Sequence, residues 1–170
     1  HTCVSALEGV NAVILLAAIV GDPASKVRPT ETIETNVLAA QALASAAKLQ
    51  HISRFVYAST CSVYGVGADL LDEQSSLNPV SLYARTKIDA EQELLADPAD
   101  VFNPIILRFA TVFGHSQRMR FDLVVNLFVA QAIQNGLITV KGSNQWRPFV
   151  HVSDIARAIV LALNSPVEKV

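Results

Sequence analysis

Apolar positions along the chain fall into two alternating textures. Three runs are apolar at nearly every position: "NAVILLAAIVG" at 11–21, "RFVYAS" at 54–59 and "NPIILRFA" at 103–110. Short runs of this kind read as strands buried on both faces of a parallel sheet. Gly21, Asp22 and Pro23 end the first of them. Between the runs the texture becomes helical. "NVLAAQALASAAK" lies in a segment rich in Ala and Leu that predicts a helix over 29–50, with Thr30 placed to cap it. "SLYARTKIDAEQELLA" predicts a second helix over 81–96, its start marked by Pro79 and Ser81. A third is expected over 121–135, stopped by Gly136, and a last one over 153–164. Two short extended pieces, "LITVKG" and "WRPFVHV", precede that last helix.

Strands that alternate with helices point to β-α-β units and an α/β fold. The order resembles the later part of a doubly wound, nucleotide-binding parallel sheet. Such sheets carry a glycine-rich phosphate loop after their first strand, and neither G-x-G-x-x-G nor G-x-x-G-x-x-G occurs here. The expectation is therefore a partial fold, an internal segment of a longer protein that lacks the N-terminal glycine-rich β-α-β unit.

Composition narrows the function classes. The 170 residues are 51% apolar and 16% charged, enough for a domain with a sizeable core and against disorder. Thirteen basic and 15 acidic side chains give a formal charge of −2, with neither sign gathered into a run, so no nucleic-acid partner is expected. Cys3 and Cys61 form no C-x-x-C pair, which indicates neither a zinc site nor a disulfide framework, and no metal is expected. The most apolar stretch, "AVILLAAIV", is nine residues long, where a membrane helix needs roughly 20. With no leader pattern visible, the expectation is a cytoplasmic protein without a membrane anchor.

Candidate chemistry gathers around one helix start. Tyr83 and Lys87 are four residues apart, so on a helix they share a face one turn apart. So short a pattern arises readily by chance and is equally a solvated surface, which makes its context decisive. "YASTCSVYG" at 57–65 runs an apolar strand into small hydroxyl residues, and the carboxyl ends of parallel strands are where such sheets bind ligands. "WRPFVHVSDIARAI" at 146–159 puts Arg147 beside aromatic residues ahead of a helix, a placement suited to gripping a phosphate. His151 in the same stretch reads as a buried, hydrogen-bonded or capping histidine.

Six motifs in sequence carry a resemblance: "LAAIVGDP", "TNVLAAQAL", "RFVYASTCSVYG", "NPVSLYARTK", "ILRFATVFG" and "WRPFVHVSDIARA". Their order and spacing resemble the extended branch of the short-chain dehydrogenase/reductase superfamily, in particular its NAD-dependent sugar-nucleotide epimerases and dehydratases of the UDP-glucose 4-epimerase kind. The resemblance implies a Rossmann-like doubly wound parallel sheet with part of a small C-terminal substrate-binding region. It divides the chain into cofactor-binding residues 1–115, a substrate-binding region at 116–150 and a returning helix at 151–170.

By that resemblance Tyr83 is the catalytic acid/base and Lys87 its cationic neighbour and a contact to the cofactor ribose. A free phenol has a pKa of about 10, and a nearby ammonium together with a nicotinamide cation favours its phenolate. Thr60 matches the hydroxyl residue that binds the reacting oxygen, with Ser59 and Ser62 as neighbouring alternatives. Cofactor contacts carry over to Leu16, Ala17, Ala18, Asn36, Ala58, Ser59, Tyr83, Lys87, Phe109 and Val112. Substrate contacts carry over to Thr60, Ser62, Tyr83, Thr111, Asn126 and Arg147. Many relatives have Asn where Thr111 stands.

The implied cofactor is NAD; the acidic residue that selects NAD over NADP lies upstream of this segment, so NADP stays open. The implied substrate is a nucleotide-sugar, and relatives of this kind suggest a homodimer built on the two long helices. Dehydratases of the family carry Asp-Glu directly after the Thr, and this chain has Cys61 and Ser62, which favours epimerisation or simple reduction. The alternatives are an NAD(P)H-dependent reductase or dehydrogenase, or after these a dehydratase, of the same superfamily and, from another class, a cofactor-sensing regulator.

Overall fold

A computed structural model describes residues 3–67, 70–96, 102–142 and 146–166. It divides into two compact units, one of residues 1–108 with 161–170 and one of residues 109–160. Among the described residues no helix is long and apolar enough to cross a membrane.

The first unit is built on a three-stranded sheet ordered β1-β2-β3, with β1 at Ala12–Leu15, β2 at Arg54–Thr60 and β3 at Asn103–Phe109. Strands β1 and β2 run parallel, Ala12 opposite Arg54 through Leu15 opposite Tyr57. A short α1 (Cys3–Ala6) precedes the sheet, and α2 (Asp22–Val27), α3 (Pro29–Ile33) and α4 (Ala39–Leu49) connect β1 to β2. The alanines of α4 at 40, 44, 46 and 47 are buried with Phe55, Tyr57, Ala90, Leu94 and Phe102 in one apolar cluster. Small side chains let α4 approach closely, and the aromatic rings fill the space beyond them; Phe55 and Phe102 meet in a tilted pair 5.5 Å apart. Helix α5 (Leu82–Leu95) starts where Ser81, extended, accepts a hydrogen bond from the Ala84 N–H at 3.2 Å. Loss of such a cap costs about 1 kcal/mol.

Several boundaries differ from the sequence expectation, each for an identifiable reason. β1 stops at Leu15 although the apolar run continues to Val20. Beyond it the backbone is held by a side chain: Asn36 Oδ1 accepts from the Ile19 N–H at 2.8 Å and its Nδ2 donates to the Ile19 carbonyl at 3.0 Å. The "GDP" turn opens α2, because Pro23 sits in its first turn where no N–H is needed. Thr30 is not a cap. Arg28 occupies that position without a side-chain cap bond, Pro29 is the first helical residue, and the Arg28 carbonyl already receives the Thr32 N–H at 3.0 Å. The expected single helix over 29–50 is also interrupted by a π-turn at Glu34–Leu38, in which the Ala39 N–H reaches back to the Glu34 carbonyl.

In the second unit β4 (Thr111–Phe113) pairs in parallel with β5 (Phe149–His151), Thr111 opposite Phe149 and Phe113 opposite His151. β4 was hidden in a stretch too short to show alternation. Gly114, at φ 123°, follows it because any Cβ there would lie 2.7 Å from His151 Nε2. Helix α6 is Val124–Asn135, three residues shorter at its start than expected, and it ends on Gly136 in the left-handed region. "LITVKG" forms no strand; its residues are exposed, and the Thr139 N–H donates to the Gln131 side chain at 3.2 Å instead of to a neighbouring strand. Helix α7 runs from Val152 to Asn164. The His151 ring does cap it, Nδ1 accepting the Ser153 N–H at 3.2 Å.

Candidate active site

Tyr83 and Lys87 lie in the first two turns of α5, and this helix packs against β2 and against the 3-10 turn Cys61–Tyr64 that follows it. Both side chains are buried, Tyr83 at 9% exposure and Lys87 at 2%. A solvated helix face is thereby excluded. The Lys87 ammonium stands 4.2 Å above the centre of the Tyr57 ring, a cation–π contact that replaces part of its lost hydration. Burial lowers the Lys87 pKa to about 8, against the opposing pull of Glu91. The Tyr57 phenol is pushed upward, first by burial and then by Glu91 and Tyr83, so it stays a neutral neighbour.

Thr60 is the last residue of β2 and the cap of the 3-10 turn, its Oγ1 accepting the Ser62 N–H at 3.2 Å. It is buried at 8%, whereas Ser62 is exposed. A hydroxyl that accepts one bond keeps its own proton to donate. The Ser59 hydroxyl donates to Glu91 Oε1, one strand position earlier and directed into the unit. Its side chain is thus taken up by α5.

The loop after β1 carries Leu16, Ala17 and Ala18, of which Leu16 and Ala17 are exposed. Asn36, on the π-turn and 1% exposed, ties this loop to α5: besides its two bonds to Ile19, its Nδ2 donates to Thr86 Oγ1 at 3.2 Å. Thr86 in turn donates to the Tyr83 carbonyl at 2.9 Å. A chain of hydrogen bonds therefore runs from the end of β1 to the turn of α5 that holds Tyr83. Single π-turns inside helices recur at functional sites because they re-aim one side chain. Ala58, half-buried on β2, adds little bulk at that strand's end.

Glu91 and Arg108 form a pair that the motif reading did not single out. Arg108 Nη2 lies 2.7 Å from Glu91 Oε2, its Nε 3.1 and 3.2 Å from the two carboxylate oxygens, and its Nη1 donates to the Tyr64 hydroxyl at 2.9 Å. The Glu91 hydrogen bond holds the guanidinium even more firmly protonated than usual. Two sequence signals pointed to it: Glu91 is four residues beyond Lys87 on the same helix face, and Arg108 interrupts an apolar strand, where a cation needs a buried partner.

Within the second unit Thr111 and Val112 lie half-buried on β4, and Asn126 is buried on α6 with its Nδ2 donating to the Arg120 carbonyl at 3.1 Å. Phe109, the first residue of this unit, is half-buried, and Arg147 is exposed just before β5. The expected site residues thus fall into two groups. Leu16 to Lys87 stand together on the first unit, and Phe109 to Arg147 on the second. Among the described residues no group of three or more His, Cys, Asp or Glu side chains could hold a metal ion.

The profile of the NAD dependent epimerase/dehydratase family matches residues 2–170. The chain is 36% identical over 95% of its length to an uncharacterised UDP-glucose epimerase, YtcB, of Bacillus subtilis, of which it covers 52%. It is 31% identical over 92% of its length to a putative UDP-glucose 4-epimerase of Methanocaldococcus jannaschii, of which it covers 53%. Among solved structures it superposes, at TM-score 0.84 and 27% identity, on UDP-glucuronic acid 4-epimerase from Bacillus cereus in complex with UDP-glucuronic acid and NAD, covering 98% of this chain and 54% of that one. The chain spans about half the length of the curated relatives it matches. With a Rossmann-type fold and a family profile over nearly every residue, the chain belongs to the NAD-dependent epimerase/dehydratase family.

Proposed function

We propose that this chain carries the catalytic side chains of an NAD-dependent enzyme that epimerises a nucleotide-activated sugar through a transient keto-sugar. The observation that carries the reading is the buried Tyr83–Lys87 pair on α5, packed against the strand end that Thr60 closes. The residues present fit a dinucleotide: Ala17, Ala18 and Ala58 leave the strand ends free of bulk, and Asn36 fixes the backbone at Ile19. When bound, NAD supplies a reversible hydride acceptor.

The rest of the chemistry falls to the chain. Tyr83 would take the proton from a sugar hydroxyl as the hydride leaves the same carbon, and would return that proton to the oxygen as the hydride comes back to the other face of the keto-sugar. Lys87, a cation held one turn away, favours the phenolate this requires. Thr60 donates to the reacting oxygen. Because the Ser59 hydroxyl is committed to Glu91 and Ser62 is exposed, Thr60 is the better supported of the three. Arg147 would grip the pyrophosphate of the substrate, with Asn126 and Thr111 beside the sugar-nucleotide. Cys61 and Ser62 supply no carboxyl for loss of water, which favours epimerisation over dehydration.

The test uses the full-length protein with NAD and a panel of UDP-sugars, read by chromatography of the sugars and by absorbance of reduced cofactor. Interconversion without net cofactor reduction is the expected result, and Tyr83→Phe should slow it by on the order of 100- to 10,000-fold. Stoichiometric reduction of NAD would make the protein a dehydrogenase instead. Absence of interconversion with any sugar, matched by an identical Tyr83→Phe protein, would refute the reading.

A further inference from the structure

The pair of buried Glu91 and half-buried Arg108 is built more elaborately than stability requires. Glu91 is 3% exposed in its side chain and Arg108 19%. Replacing such a pair with well-packed apolar residues is commonly neutral or stabilising, so stability alone gives these positions no reason to be ionic. What an ion pair adds is direction. With Nε and Nη2 of Arg108 engaged on the carboxylate, the planar guanidinium has one orientation, and Nη1 can donate only along a fixed line. That line ends on the Tyr64 hydroxyl at 2.9 Å. The carboxylate's other commitment is the Ser59 hydroxyl.

Ser59 and Tyr64 bracket Thr60 and the short 3-10 turn it caps. Both ends of this six-residue segment are therefore tied to one ion pair, whose acidic member stands on the helix that carries Tyr83 and Lys87. We propose that Glu91 and Arg108 are positioning residues, a clamp that fixes segment 59–64 at both ends and so sets the Thr60 hydroxyl against Tyr83. This rests on the proposed function. The clamp touches neither sugar nor cofactor; it acts through Thr60. Misplacing a reacting group by about 1 Å costs on the order of 100-fold in rate, so modest slack in this segment is enough to be measured.

Truncating Glu91 risks unfolding, and the test therefore releases the clamp while leaving the ion pair in place. Tyr64→Phe frees one end and Ser59→Ala the other, in the full-length protein with NAD and the sugar-nucleotide it interconverts. Tyr64→Phe should lower kcat by roughly tenfold and leave KM within about twofold, at a nearly unchanged Tm. Arg108→Lys, which keeps the charge and loses the fork, should behave like Tyr64→Phe and not rescue it. The deciding measurement is a double-mutant cycle: in a Thr60→Ala background, Tyr64→Phe should cost nothing further. An unchanged kcat, a lowered Tm with kcat intact, or the same kcat loss with and without Thr60 would overturn the clamp while leaving the epimerase reading in place. A wild-type protein that interconverts no nucleotide-sugar would overturn both.

Discussion

Raising the pH should stabilise this protein through one side chain, Lys87. Its amine is buried and its pKa lies at about 8, against 10.5 for a free lysine. Below about 8 both folded and unfolded chains carry the proton, and the folded state bears the whole cost of a buried cation. Between about 8 and 10.5 the unfolded chain binds more protons than the folded one, so stability rises with pH and then levels off. At about 1.36 kcal/mol for each pH unit, that window amounts to on the order of 3 kcal/mol. The Tyr57 ring under the ammonium works the other way, by up to about 2 kcal/mol for a desolvated cation–π contact. The net rise is therefore expected between about 1 and 3 kcal/mol. The measurement is urea unfolding without nucleotide at intervals across the window, comparing the parent with Lys87→Met, both in a Tyr83→Phe background so that the neighbouring phenol does not titrate. The methionine variant should be the more stable at neutral pH, and its advantage should shrink by that amount as the pH rises. A gap that stays constant, or that widens, would show that Lys87 keeps its proton throughout and that burial is not what governs it.

Three further outcomes follow from particular contacts. Asn36→Ala removes three hydrogen bonds from a buried group, and at about 1 kcal/mol each the unfolding free energy should fall by roughly 3 kcal/mol, read by chemical denaturation. Proteolysis should then cut first in the loop after β1. Gly65→Ala places a methyl 1.9 Å from the Asn78 carbonyl oxygen at φ 71°. The backbone conformation alone costs about 1–3 kcal/mol, so with the clash Tm should fall further for this change than for Gly136→Ala, whose added Cβ meets nothing within 4 Å. Glu91→Ala leaves the Arg108 cation without its carboxylate and should cost about 3 kcal/mol, while the double variant Glu91→Ala with Arg108→Leu should recover part of that loss.

What could be read from the sequence was whatever is local or periodic. Tyr83 and Lys87 are separated by one helical turn, so their shared face needed no structure, and Ser81 announced its cap by residue type. The strand at 54–60 was legible because it is apolar at nearly every position. The rest depended on partners distant in sequence. Asn36 reaches 17 residues back to Ile19 and 50 forward to Thr86, and that reach, not hydrophobicity, decides where β1 ends. Arg108 finds Glu91 17 residues away and Tyr64 44 residues away. "LITVKG" alternates like a strand, yet alternation describes only one side of a ladder, and no described segment supplies the other. Pro23 was read only as the end of a strand where it also opens a helix, because a proline that cannot donate is harmless in the first turn, as at the expected helix start Pro29.

The π-turn at Glu34–Leu38 amounts to one surplus residue accommodated within a helix. Deleting a residue there would restore regular winding and improve the helix considered in isolation. Each residue of an α-helix advances the azimuth by roughly 100°, so the same deletion would swing Asn36 out of line with Ile19 or with Thr86. Lineages that share this strap should accordingly tolerate substitutions along the segment far more readily than a change in its length.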